Sequence, residues 1–168
     1  IYTSSYTLSL HDALPICGVT AASVHAANSA ALLRDPGTWF DAVRPGLLLY
    51  GLAPAALAGV LALRPALSLR SRVVAVKNIR QGESVGYSAR YVADSPRRIA
   101  TVPAGYADGL DTRLGGRGEV LVNGRRVPIV GAVSMDMLAI DASSGPVYAG
   151  DEVVLLGEQG GDRITVAE

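Results

Sequence analysis

Tyr87 lies in Glu83-Ser84-Val85-Gly86-Tyr87-Ser88-Ala89-Arg90-Tyr91, where a bulky phenol is set between glycine and small residues in an otherwise alternating apolar stretch. The ring has little to pack on there, so its hydroxyl is expected to face a site where it could take or give a proton. Two later stretches have the same character, Gly105-Tyr106-Ala107-Asp108-Gly109 and Ser134-Met135-Asp136. Upstream, His25-Ala26-Ala27-Asn28-Ser29-Ala30 and Arg44-Pro45-Gly46 read as turns whose exposed N–H groups suit an anion. Each piece has a plain reading of its own. A lone Gly-Tyr is more often a strand-end bend, Arg44 a salt bridge or solvated strand end, and a capped turn an ordinary αβ connection. Together they suggest one active site.

Two kinds of scaffold are needed to position these residues. Gly18 to Leu33 reads as a short apolar strand, a polar turn and a helix start, with Asn28 or Ser29 suited to cap the helix. Asp35-Pro36-Gly37 ends that helix, and Phe40 to Leu49 reads as another strand. Two consecutive β-to-α turns of this kind resemble the phosphate site after the last strands of a (β/α)8 barrel. Such a barrel takes about 250 residues, so residues 18–58 are expected to hold only its final portion.

From residue 59 to 168 short alternating segments take over. Leu61, Leu63, Leu67 and Leu69 are expected on one face of a strand around Pro65, with Val74 and Val76 continuing the run. Arg80-Gln81-Gly82-Glu83 is a turn, and Val122-Asn123-Gly124-Arg125 is a hairpin signal, since Asn-Gly takes the positive φ angles of a type I′ turn. Further strands are expected at Arg98 to Pro103, Glu119 to Val122, Val127 to Val133, Met137 to Ile140 and Glu152 to Leu156. The fold class is α/β plus all-β: the end of a (β/α)8 barrel, then a small β-barrel-like domain.

Composition narrows the function. The chain has 168 residues, 49% hydrophobic and 18% charged, with a formal net charge of zero, so nothing favours nucleic acid or an anionic membrane as partner. No apolar run reaches the roughly 20 residues that cross a bilayer. The single cysteine, Cys17, excludes an internal disulfide framework and a thiolate metal cluster, and fits a reducing, cytoplasmic setting. Residues 1 to 17 stand apart. Thr7 to Ile16 look like the in-frame translation of a common sequencing adapter and are left out of fold reasoning, so the chain is expected to begin inside a gene. A signal peptide fits them less well, because there is no basic leader and His11 and Asp12 interrupt the apolar segment.

His25 to Ala30, followed by Val43-Arg44-Pro45-Gly46-Leu47-Leu48-Leu49-Tyr50-Gly51, resembles the close of the barrel domain of the alanine racemase family. The Gly86-Tyr87, Tyr106 and Met135 motifs match that family in order, so the resemblance covers the chain from residue 18. It implies pyridoxal 5'-phosphate as cofactor, with Ser29 and the backbone amides of Gly46 and Leu47 on the phosphate and Arg44 against the pyridine nitrogen. A guanidinium suits that place because it donates a hydrogen bond without giving up its proton. Tyr87 would be one of two catalytic bases. A free phenol ionises near pH 10, with a pKa of about 10, so that role needs positive charge close by. Tyr106 would border the substrate. Met135, through its amide, and Asp136 belong to the segment that meets the substrate carboxylate.

The resemblance further implies an L-alanine/D-alanine interconversion that supplies D-alanine for peptidoglycan. It implies a homodimer in which Tyr87 and Met135 act in the partner's site. The lysine that carries the cofactor lies earlier in the family's barrel. Lys77, the one lysine here, falls in a predicted strand of the second domain and reads as a solvated surface residue. The chain alone is therefore expected to be inactive. Two positions depart from the pattern: Ser88 stands where glycine is usual and Ala132 where arginine is common. Alternatives are a racemase of broader specificity, a decarboxylase of the same architecture, which would need a cysteine motif in the β-domain, or a non-catalytic β-domain that binds a partner protein.

Overall fold

The computed structural model describes residues 22–166. The chain falls into two units, residues 1–66 and 67–168. The adapter stretch, His11, Asp12 and Cys17 lie outside the described residues.

In the first unit Asn28 decides where helix α1 (Ser29–Arg34) begins. Its side-chain oxygen accepts from the amides of Ala30 and Ala31, both at 3.0 Å, satisfying two donors that have no partner inside a helix. Asp35 stops the helix: its carboxylate turns to accept the Gly37 amide at 2.9 Å, and Pro36 starts a 3-10 turn. Trp39 folds back and donates its indole N–H to the Leu32 carbonyl at 3.0 Å. His25 and Ala42 pair in parallel on either side of this helix, the connection of a β-α-β unit. The expected strand from Phe40 to Leu49 goes no further than that bridge, since Gly46–Tyr50 is a 3-10 turn. Pro45 has no amide and sits at helical angles, and Gly46 takes φ 34°, so a ladder cannot continue through them.

The second unit is built from ten strands among the described residues: β1 (Leu69–Arg72), β2 (Ala75–Ile79), β3 (Ser84–Val85), β4 (Tyr91–Val92), β5 (Arg97–Val102), β6 (Glu119–Val122), β7 (Arg125–Val130), β8 (Leu138–Asp141), β9 (Glu152–Gln159) and β10 (Asp162–Ile164). The main sheet runs β1-β9-β6-β7-β8-β5-β2 with antiparallel neighbours. Its two outermost members are consecutive in the chain. Val73 donates its amide to Asp151 and Val74 to Thr101, both at 2.9 Å, so one bent strand pairs with β9 in its first half and β5 in its second. The sheet is thereby closed into a barrel.

Side-chain alternation sorts the residues onto two faces. Inside lie Val102, Val120, Val122, Ile129, Ile140 and Val153, all at most 2% exposed. Outside, Leu121 and Val154 are covered by Ile164 of β10, and Ile99 and Val130 by the small β3–β4 hairpin through Val85, Tyr91 and Ala93. Both outer faces are therefore roofed by short strands that the sequence reading did not anticipate. The Asn123-Gly124 turn between β6 and β7 has φ 51° and 72°, as its residue types require. The strand expected around Pro65 is displaced: residues 61–68 form no strand and β1 starts at Leu69. Pro65 offers no amide to a ladder, and Leu61 and Leu67 remain exposed.

Removing part of the inner core will be costly. Ile140→Ala is expected to lower the unfolding free energy by about 2–5 kcal/mol, measured by urea denaturation followed by circular dichroism. A second prediction concerns Asp111, which accepts from the Arg113 amide at 2.8 Å and from its guanidinium Nε at 2.8 Å. The side-chain bond to Arg113, then the bond to its backbone, hold the carboxyl down to about 2. Because the folded value is depressed, the stabilisation is present above the unfolded value of about 3.9 and is lost as pH falls through about 2. A carbon-13 titration should give that low midpoint, and Arg113→Gln should return it toward the ordinary carboxylate range.

Candidate functional site

The segment between β7 and β8 organises the candidate site of the second unit. Ser134 closes a turn on itself, its hydroxyl donating to the Met137 carbonyl at 2.8 Å and accepting the Met137 amide at 3.0 Å. Its backbone amide also donates to the Met137 carbonyl, at 2.8 Å. The Tyr106 turn is fastened to the outside of this one. Tyr106 donates its amide to Ser134 at 3.0 Å and Ala107 to Met135 at 2.9 Å, while Asp108 accepts the Gly105 amide at 2.9 Å. Gly105 is required by proximity, because a Cβ there would stand 2.4 Å from the Met135 carbonyl group.

Tyr87 arrives from a third direction on the β3–β4 hairpin. Gly86 faces the Ala132 amide, with 3.5 Å to where a Cβ would be, and Gly131 sits close under the Val85 carbonyl. The hairpin thus rests on the first residues of the segment that carries Met135. Its tip is held in an unusual conformation, with Gly86, Ser88 and Ala89 at φ 73°, 58° and 45°. The last two are left-handed angles at non-glycine residues, a strain that persists only where surrounding structure imposes it. Tyr87 is 74% exposed, Met135 60% and Tyr106 51%. These side chains are presented outward and are not part of the domain's packing. Asp136 is exposed beside Met135.

The first unit brings Ser29, Arg44 and Gly46 together. The Ser29 hydroxyl is buried and donates to the Pro45 carbonyl, and it lies 3.8 Å from where a Gly46 Cβ would be. Arg44 donates its amide to Ala27 at 2.7 Å and one guanidinium N–H to Ala26 at 3.1 Å, leaving it exposed. Gly46 and Leu47 open the 3-10 turn, where amides have no acceptor within the helix. Asn28 takes the Ala30 and Ala31 amides of α1, so an anion at this turn would be met by the Gly46 end and the Ser29 hydroxyl and not by those two amides. Two supports escaped the sequence reading: Ser134 as a self-locking turn and Asp108 as the brace of the Tyr106 turn. The spacing Ser134-x-x-Met137 carries the first signal, since a hydroxyl can bond locally to a backbone three residues on.

A cavity of about 810 Å³ opens near Asp108, lined by Leu69, Leu110, Leu114, Leu155 and Val166 among others. Its walls are largely apolar, and Tyr87, Tyr106 and Met135 do not line it. Among the described residues no group of three or more His, Cys, Asp or Glu could hold a metal ion, and no helix is long and apolar enough to cross a membrane.

A β-α-β unit with an exposed turn, followed in the chain by a closed antiparallel barrel bearing outward tyrosines on adjoining loops, defines a protein of α/β plus all-β class. Residues 66–168 match the family described as "Alanine racemase, C-terminal domain", and residues 7–54 match "Alanine racemase, N-terminal domain". The chain belongs to the alanine racemase family.

Alanine racemase of Symbiobacterium thermophilum is 45% identical over 157 residues, 92% of this chain and 42% of that protein. The crystal structure of alanine racemase from Bacillus anthracis with bound L-Ala-P superposes with a TM-score of 0.84 at 43% identity, covering 94% of this chain and 41% of that one. Alanine racemase from Bartonella henselae with covalently bound pyridoxal phosphate gives a TM-score of 0.76 at 32% identity, over 92% and 44% of the two chains. The chain spans less than half the length of these relatives.

The Gly105 contact generates a direct test. Gly105→Ala is expected to push the Tyr106 and Met135 turns apart and destabilise the unit by about 1–3 kcal/mol, as overpacking does. Amide exchange at Tyr106 and Ala107 should rise well above the change at β9; unchanged exchange there would contradict the coupling.

Proposed function

We propose that this chain is the portion of a pyridoxal-phosphate-dependent alanine racemase that supplies one of the two proton carriers and part of the cofactor's phosphate grip. The observation that carries the reading is the exposure of Tyr87 on a strained tip beside the Met135 turn. Left-handed angles kept at Ser88 and Ala89 beside an outward phenol suit a functional site better than a packing role. Membership of the family supports the same reaction.

The first unit's residues suit such a cofactor. A phosphate accepts hydrogen bonds, and this turn offers the amides of Gly46 and Leu47 and the Ser29 hydroxyl, which would turn to it from the Pro45 carbonyl. Arg44 uses one guanidinium N–H on Ala26, and its remaining donors suit a ring nitrogen that stays unprotonated. When bound, pyridoxal phosphate supplies an electron-withdrawing ring that acidifies the α-proton of an amino acid.

Racemisation needs the α-proton removed on one face and returned on the other. Tyr87 would hold and move the proton on its face at the phenolic oxygen. The Met135 amide would donate to the substrate carboxylate without adding a titrating group, with Tyr106 and Asp136 bordering it. Lys77, on β2 of the second unit, does not match the family's lysine, which would carry the proton on the opposite face. That second base is a lysine in the part of the barrel this chain does not contain. Tyr87, Tyr106, Met135 and Met137 form exposed aromatic and apolar surface on adjoining loops, which favours a second copy of the enzyme as the body that covers them. The substrate is L- or D-alanine, the assembly a homodimer with shared sites, the setting the cytoplasm and the product's use peptidoglycan.

Purified alone with pyridoxal phosphate and L-alanine, the chain is expected to form no D-alanine above the blank. Joined behind the barrel portion of the Symbiobacterium relative, it should restore racemisation. Tyr87→Phe in that chimera should then lower kcat about 10²–10⁴-fold, the usual worth of a positioned acid–base group. Substantial turnover by the chain alone, or a Tyr87→Phe chimera at full rate, would refute the reading.

A further inference from the structure

The hairpin that carries Tyr87 is short. β3 and β4 pair through Ser84 with Val92 and Val85 with Tyr91, Gly82 and Ala93 donate their amides to Ala93 and Glu83 at the open end at 2.8 and 2.9 Å, and even longer isolated hairpins are marginal in water. Its apolar underside, Val85, Tyr91 and Ala93 on Ile79, Ile99 and Val130, fixes how close it lies to the barrel. Apolar contact is non-directional, and the close approaches of Gly86 to Ala132 and of Gly131 to Val85 hold only the tip, so the foot of the hairpin needs a directional tie of its own.

A polar bridge at the foot of the hairpin supplies the direction. Asp94 follows β4, Arg97 opens β5 and Asp141 ends β8. Arg97 donates to one oxygen of Asp94 through Nη2 at 2.8 Å and Nε at 3.2 Å, and through Nη1 to Asp141 at 3.4 Å. Each carboxylate is braced in turn. Asp141 accepts the Ser143 amide at 2.9 Å, and Asp94 accepts the Ser95 hydroxyl at 2.9 Å. The bond to Arg97, then that to Ser95, hold the Asp94 carboxyl below the usual carboxylate range. Burial, then the Asp141 charge, push the neighbouring Tyr91 hydroxyl up.

An exposed ion pair by itself does little, and Asp94 is 75% exposed. The barrel end differs: the Arg97 side chain is 31% exposed and that of Asp141 12%. A charge so far out of water is costly to leave unpartnered, and a planar guanidinium holds two carboxylates at a set angle where an ammonium would not.

We propose that Arg97 is a positioning residue for Tyr87: by tying Asp94 at the foot of the hairpin to Asp141 on the barrel, it sets the angle at which the phenol is presented. The inference rests on the reading of Tyr87 as a proton carrier, and its test does not. Amide exchange in the 168-residue chain is measured by NMR for wild type, Asp94→Asn, Arg97→Gln, Arg97→Lys and the Asp94→Asn/Arg97→Gln pair. Arg97→Gln should speed exchange at Val85, Tyr91 and Ala93 about tenfold or more, with β6 and β7 within about twofold, as a local opening requires.

Asp94→Asn, at an exposed side chain that leaves the core intact, should give part of the same effect. The double variant should be no faster than Arg97→Gln alone, because the two act as one link. Arg97→Lys should lie between, and the Tyr87 ring resonance should shift in the same order. Uniform acceleration across the barrel, an unchanged hairpin or additive effects in the double variant would each overturn the proposal. A clamp that behaves as described beside a Tyr87 that proves dispensable would count against the racemase reading and leave this one standing.

Discussion

The second unit depends on one junction, the two residues at which β1 becomes β2. Val73 gives its amide to Asp151 and receives that of Gly150 at 2.8 Å on its carbonyl, while Val74 gives its amide to Thr101. With the Val73 side chain buried in the inner cluster, the same residue closes the ladder and fills the core. Closing the sheet turns a row of alternating valines and isoleucines into an interior, since each ladder then has a wall on both sides. The loops that carry Tyr106 and Met135 emerge from strands fixed by that closure.

From that frame outward the means of support change. Inside, aliphatic side chains interdigitate. At the loops, backbone meets backbone: Tyr106 and Ala107 bond to Ser134 and Met135, glycines at 105 and 131 let main chains approach where a side chain would intrude, and Gly86 takes φ 73°. This leaves the tyrosine and methionine side chains free of any duty in packing. The strain at Ser88 and Ala89 belongs to the same arrangement, because a tip held by its surroundings can keep angles that an unsupported one would relax.

Much of this was legible in the sequence, and the exceptions have physical reasons. β6 runs as expected from Glu119 to Val122, and β5, β7, β8 and β9 differ from expectation only in their ends. The Asn123-Gly124 turn and the Asn28 cap follow from local chemistry, which sequence displays directly. Phe40 to Leu49 misled because its apolar residues suit a strand, whereas Pro45 and Gly46 settle the backbone.

The short strands β3, β4 and β10 gave no periodic signal, being two or three residues long. They exist because tertiary contacts hold them. The motifs around Ser29, Arg44, Tyr87, Tyr106 and Met135 stood out because residues of that kind are poor packing choices. Arg97 did not, since one of its two partners lies 44 residues away and nothing in the local pattern marks it.

A barrel sealed by a single bent strand presents no long row of unsatisfied amides and carbonyls. The free margins among the described residues include one side of β1 and of β2, four and five residues long, and those of β3, β4 and β10, all too short to template a neighbour. Copies of this unit therefore have little means of adding strand to strand into larger aggregates. Any specific pairing between them has to be written in loop side chains, where a few substitutions can alter which molecule is accepted without disturbing the sheet beneath.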